Sequence, residues 1–162
     1  MHIEYRKNTL TPEQYQHLRQ CAGMLAVDGP TLRRALANTW LTVTAYVDGA
    51  LAGMARAVGD QGLFYYIQDV LVAEQYRGAG IGSGLVGVLL AEIRSNTPAH
   101  ITAQVGLISS PHREQFYEKL GFARCPSMTA GHGMVACVPG NSRKAYTLKE
   151  IRKAEKKGVD PA

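Results

Sequence analysis

Residues 75–84 read QYRGAGIGSG, which sets Gly78, Gly80, Gly82 and Gly84 at every second position directly after the apolar run YYIQDVLV. A strand that opens into a glycine-rich turn and then a helix is an anion cradle. Successive backbone N–H groups point outward, and the helix dipole favours negative charge at its first turn. Glycine lets the main chain approach a phosphate with no Cβ in the way. The apolar run LVGVLLAEI that follows makes this turn the start of a long, largely buried helix. A phosphate-bearing ligand is the expected occupant. A second feature lies just upstream, where the carboxylate of Asp69 stands between LFYYI and VLV with Gln68 as its polar neighbour. Burying a carboxylate unpaired is costly. It is therefore either a catalytic carboxylate or a structural one bonded to backbone N–H groups or to an Arg.

Spacing narrows the phosphate ligand. A P-loop needs Gly-Lys-Ser/Thr four residues after its first glycine, and no Lys follows any glycine here. The dinucleotide fingerprint Gly-x-Gly-x-x-Gly fails in the frames that begin at Gly78 and at Gly80, where its last position falls on Ser83 and Leu85. Gln75, Gly78 and Gly80 instead fit Gln/Arg-x-x-Gly-x-Gly/Ala, preceded by VLV. This resembles the pyrophosphate-binding motif of the GCN5-related N-acetyltransferases, the GNAT family. FYEKLGF at residues 116–122 is similar to that family's late motif and lies about forty residues downstream, in the order the family has. Read from its own residues, Ser109 or Ser110 can cap a helix with Pro111 in its first turn, Phe116, Tyr117 and Leu120 recur at helical spacing, and Gly121 closes it. The resemblance covers roughly residues 1–140.

That resemblance implies acetyl-CoA as cosubstrate and direct attack by a primary amine in a ternary complex. It places the pyrophosphate on Gln75, Arg77, Gly78, Ala79, Gly80, Ile81, Gly82 and Ser83, mainly through backbone N–H groups. Val70, Leu71 and Val72 would offer strand-edge groups to the pantetheine arm at a splay in the sheet, with one N–H aimed at the thioester oxygen. Tyr117 would be the general acid toward the departing thiolate. A phenol with a reference pKa near ~10 stays protonated at neutral pH. Asp69 is the candidate to orient the amine or take its proton through water. Seven residues before the late tyrosine the family often has an Asn that bonds pantetheine. Ser110 stands there, with a hydroxyl of shorter reach and fewer groups.

The elements that must position these groups follow from local signals. HIEYR starts as a strand, Thr11-Pro12 opens a helix through about Cys21, and a second helix spans Pro30 to about Leu36. WLTVTAYV and LAGMARAV flank Asp48-Gly49, a strong hairpin signal, and Asp60-Gln61-Gly62 turns the chain into LFYYIQDVLV. The helix after the glycine turn runs to about Ser95, HITAQV is a strand, and two closing strands are expected around Phe122–Cys125 and Met134–Val138. The order implies an α/β (α+β) class with helices on both faces of a mixed sheet. In the GNAT form this is a mostly antiparallel sheet of about six or seven strands, with one domain over residues 1–140 and a basic tail, 141–162, forming a terminal helix.

At 162 residues the chain is near the usual size of one domain. It has no run of eighteen apolar residues and no leader-like N-terminus, so a cytoplasmic protein off the membrane is expected. Cys21, Cys125 and Cys137 are odd in number and widely spaced, fitting neither a disulfide framework nor a zinc site. His112 and His132 lack metal-spaced partners, so no metal is expected; His132, in a Gly-His-Gly loop, could line the acceptor site. The net charge is +5, and from Arg143 onward seven Lys/Arg face three Asp/Glu. Without interleaved aromatics this tail reads as a solvated surface rather than a nucleic-acid arm. The acceptor is expected to be a small-molecule amine, or a protein amine. Two other functions share these features: a noncatalytic acyl-CoA-binding module, and a protein- or ribosome-associated acetyltransferase using the tail. Edges such as Met134–Val138 could pair in a homodimer.

Overall fold

The Asp48-Gly49 turn sets the sheet. The computed structural model describes residues 1–127 and 131–134. In it both turn residues take positive φ, 47° and 85°, as a tight hairpin turn requires. This joins β2 (Leu41–Val47) to β3 (Ala50–Gly59) in antiparallel register from Val47↔Ala50 to Leu41↔Ala57. β1 (Ile3–Lys7) adds along the outer edge of β2, and β4 (Phe64–Val72) pairs antiparallel with β3. The turn into β4 is held by Asp60, whose carboxylate accepts the N–H groups of Gly62, Leu63 and Phe64 at 2.9 Å each. These bonds, that from Phe64 foremost, pull its carboxyl pKa below the ordinary range. β5 (Gln104–Gly106) pairs parallel with β4. The sheet order is β1-β2-β3-β4-β5.

The helices follow their caps. α1 (Pro12–Cys21) begins with a capping box in which Thr11 and Gln14 each accept the other's backbone N–H at 3.2 Å. α2 (Gly29–Ala37) starts one residue earlier than its proline suggests, because Asp28 is the cap and accepts from Thr31 N–H. α3 (Ile81–Asn96) follows the glycine turn. Strand alternation sorts the core into two clusters. On one face Leu85, Val86 and Leu89 of α3 pack on Val43, Ala45, Ala55, Ala57 and Ile67; on the other Tyr15, Leu18 and Leu32 of α1 and α2 pack on Met54. Helices on both faces of a mixed, mostly antiparallel sheet agree with the sequence-based expectation.

The sheet has five strands among the described residues. Two expectations need correction. The segment expected as strand Phe122–Cys125 is not a strand; its expected neighbour, Met134–Val138, lies almost entirely outside the described residues, as does the expected C-terminal helix. The late helix, α4 (Glu114–Glu118), begins after Arg113 with no side-chain cap, not after Ser109 or Ser110. His112 takes φ +65°, which breaks helical geometry between Pro111 and Glu114. The end of α4 is as expected. Gly121 N–H bonds the Glu118 carbonyl and Phe122 N–H the Tyr117 carbonyl, the Schellman pattern. The chain divides into two units, Met1–Phe122 and Ala123–Ala162. In the second, residues 123–127 and 131–134 are exposed and form neither helix nor strand.

Candidate active site

β4 and β5 part company early. Their pairing covers only Phe64↔Gln104 to Tyr66↔Gly106, yet β4 continues to Val72. One edge of β4 from Ile67 onward is therefore without a neighbouring strand among the described residues. Ala73 N–H bonds Ala52 O across to β3 at 2.9 Å. Alternation along the strand then turns the N–H and C=O of Val72, and of Val70, away from β3 and into the splay. Arg77 reaches back to this edge, its Nε donating to the Val72 carbonyl at 3.3 Å.

Below the splay lies the cradle. A 3-10 turn, Glu74–Tyr76, leads into Gly78 and Gly80, whose φ values of +83° and +78° lie in the left-handed region. A side chain there is strained on the backbone alone, since nothing lies within 4 Å of where its Cβ would sit. Gly80 is the N-cap of α3 and offers no side-chain acceptor. The N–H groups of Ile81, Gly82 and Ser83 thus open the helix with no intrahelical partner, beside an open surface. Gln75, Arg77 and Ser83 are exposed around the same turn.

Gly82 serves a different purpose. A Cβ built on it would stand 3.3 Å from Phe116 Cζ and 3.7 Å from Val72 Cγ2. Its lack of a side chain lets α4 seat Phe116 against the start of α3 and the end of β4. The next residue, Tyr117, stacks edge-on to Phe116 at 4.8 Å between centroids and to Phe122 at 5.9 Å. Burial raises its phenol pKa above the ordinary value, which keeps the proton on. Ser110 is exposed, and its carbonyl accepts Arg113 N–H.

Asp69 sits one residue upstream of the splay, and a bulge decides where it points. Arg56 pairs with Gln68 and Met54 with Leu71, so Asp69 and Val70 together oppose Ala55. Asp69 takes φ +54°. Plain alternation from Ile67 would carry its carboxylate into the α3 core. The extra residue shifts the phase, so Val70 and Val72 face α3 while Asp69 and Leu71 face α1. There the carboxylate is 8% exposed and well bonded. The Tyr15 hydroxyl donates to Oδ2, Arg56 Nε donates to Oδ2 at 2.9 Å, Gln68 Nε2 lies 3.4 Å from Oδ1, and Arg19 Nη1 lies 3.8 Å from Oδ1. The Tyr15 phenol pKa is raised, chiefly by burial and then by the bond to Asp69.

The structure therefore brings Val70–Val72, Arg77, Gly78–Ser83 and Tyr117 around one splay, with Asp69 bordering it on the α1 face. Tyr15, Arg19 and Arg56 escaped the sequence reading. One signal was available: Tyr15, Leu18 and Arg19 share a helical face, so an Arg lies on the buried side of α1. Among the described residues no group of His, Cys, Asp or Glu could hold a metal, and no helix is long and apolar enough to cross a membrane.

Comparison with known proteins agrees with this geometry. The acetyltransferase (GNAT) domain model matches residues 8–137. A protein of unknown function from meticillin-resistant Staphylococcus aureus, described as a probable acetyltransferase, is 28% identical in sequence. It superposes with a TM-score of 0.71 over 83% of this chain and 99% of its own. An uncharacterized N-acetyltransferase of Pyropia yezoensis is 33% identical over 81 residues, 50% of this chain and 44% of that protein. The chloroplastic serotonin N-acetyltransferase 2 of rice is 33% identical over 104 residues, 62% of this chain and 50% of that protein. The chain spans about half the length of the curated relatives it matches. From the cradle, the splay and the match over residues 8–137, the chain belongs to the GNAT acetyltransferase family.

Proposed function

We propose that the protein is an acetyl-CoA-dependent N-acetyltransferase acting on a primary amine by direct transfer. The observation that carries this is the open edge of β4 running into a cradle of left-handed glycines and unpartnered helix N–H groups. An extended arm can add beside such an edge as a further strand while a pyrophosphate rests at the helix start. Gln75, Arg77, Gly78, Ala79, Gly80, Ile81, Gly82 and Ser83 would hold the pyrophosphate, and Val70, Leu71 and Val72 the pantetheine arm. Ser110, exposed just before α4, would add one hydroxyl contact.

The neutral amine attacks the thioester carbonyl, the C–S bond breaks, and the thiolate takes its proton from the Tyr117 hydroxyl. Burial supports that role by keeping the phenol protonated. A β4 N–H facing the splay stabilises the developing oxyanion. The proton lost by the amine passes to solvent water. Asp69 acts here by orientation, because donors already occupy both its oxygens. A reducing compartment suits the two described cysteines, Cys21 and Cys125, which are free and exposed.

A thiol-release assay with acetyl-CoA against a panel of primary amines tests the function. Amine-dependent release of CoA is expected. Tight CoA binding with no release for any amine would instead make the chain a noncatalytic CoA-binding module.

A further inference from the structure

The cluster around Asp69 holds one guanidinium more than its carboxylate balances. Arg56 is used: its Nε bonds Asp69 at 2.9 Å and its Nη1 bonds Thr39 Oγ1 at 3.2 Å. Arg19 is not. Its Nη1 stands 3.8 Å from Asp69, an ion pair too long for a hydrogen bond, and its buried Nε has no partner. Both guanidinium carbons lie 5.6 Å from the centre of the Tyr15 ring, and both side chains are 16% exposed. The charged groups that act on Tyr15 are Asp69, Arg56 and Arg19, two positive against one negative. A cationic fork is thus held in place by an aromatic ring, with N–H groups unused, beside the residue that precedes the splay.

We propose that Arg19 is the acceptor-recognition residue and that the acceptor is a small amine bearing a carboxylate, of the amino-acid kind. This rests on the acetyltransferase function above and names the substrate class of that same site. A guanidinium presents paired donors that match a carboxylate in two parallel hydrogen bonds. The excess positive charge also repels ammonium groups, which selects against polyamines and favours the neutral amine that must react. An acceptor carboxylate would cancel that charge and complete the Arg19 hydrogen bonds. A single free fork fits a planar carboxylate better than a dianionic phosphate, because the second guanidinium is already committed to Asp69.

The test compares matched acceptors in thiol-release kinetics with acetyl-CoA, at equal concentrations of neutral amine: phenylalanine against phenylalaninamide, β-alanine against β-alaninamide, and O-phosphoethanolamine against ethanolamine. The carboxylate form is expected to have at least tenfold higher kcat/KM than its amide. Arg19→Met is expected to abolish that preference by raising KM for the acid more than for the amide, with CoA affinity unchanged. Arg19→Gln, which keeps the stem and one donor, serves if the Met variant melts early. Equal use of acid and amide by the wild type overturns the inference. So does a preference that survives both substitutions, or selection for the phosphate pair alone. In each case the acetyltransferase function stands. If no amine releases thiol, that function fails instead. Calorimetric binding of the amino acids then decides the anion site, with binding lost in Arg19→Met supporting it and no binding overturning it.

Discussion

Tyr117 carries its hydroxyl on a ring fixed between Phe116 and Phe122, so Tyr117→Phe removes one oxygen while keeping the packing. Turnover is expected to fall by about 10² or more, the usual worth of a general acid, with acetyl-CoA affinity unchanged. Full turnover at unchanged affinity would remove Tyr117 from the chemistry. The pH dependence has a definite sign. The acid must be protonated, and its pKa is raised by burial, so its contribution holds up to and beyond about pH 10. It is lost only as pH rises through that elevated value, and the Phe variant should lack this alkaline limb. Tyr117 was singled out only through the likeness of FYEKLGF to the family's late motif. Asp69 was legible only as an anomaly, a carboxylate among apolar neighbours. Its partners come from α1 and β3, far apart in sequence, and meet it because a bulge at Asp69–Val70 reverses the alternation that a sequence reader must assume.

At the scale of elements, what the sequence disclosed was whatever is set locally. The Thr11-Pro12 helix start, the Asp48-Gly49 hairpin and the Gly121 terminator each rest on residues a few positions apart, and each formed as expected. The start of α4 did not, because Pro111 suggests a first turn while the positive φ of His112 is a compromise invisible in residue type. The splay of β4 from β5 is likewise a property of two strands, implied by family resemblance and by nothing in β4 alone. The cradle offers a clean probe of an element. Gly80→Ala meets no atom within 4 Å, so its effect comes from backbone strain at φ +78°, roughly 1–2 kcal/mol. Relief of that strain would tilt the first N–H groups of α3 away from the ligand. Thermal unfolding should show the modest destabilisation, and calorimetry a weaker affinity for CoA than stability alone accounts for. A variant destabilised with CoA affinity intact would mean the pyrophosphate lies elsewhere.

For the molecule as a whole, charge and cradle make a joint prediction. The net charge of +5 is concentrated after Arg143, leaving the rest nearly neutral. The cradle offers mainly backbone N–H groups with Arg77 as a nearby cation. CoA binding should therefore depend only weakly on salt, unlike binding that neutralises many phosphates with Lys and Arg. A ligand that binds only the folded chain stabilises it by about 2.7 kcal/mol at a hundred times its Kd. For a chain of this size that is a rise in Tm of roughly 5–10 °C. Deleting residues 143–162 should leave both this rise and its salt dependence unchanged, since the family match ends at residue 137. A truncated chain that binds CoA weakly, with the deficit growing at low salt, would instead make the basic tail part of the phosphate site.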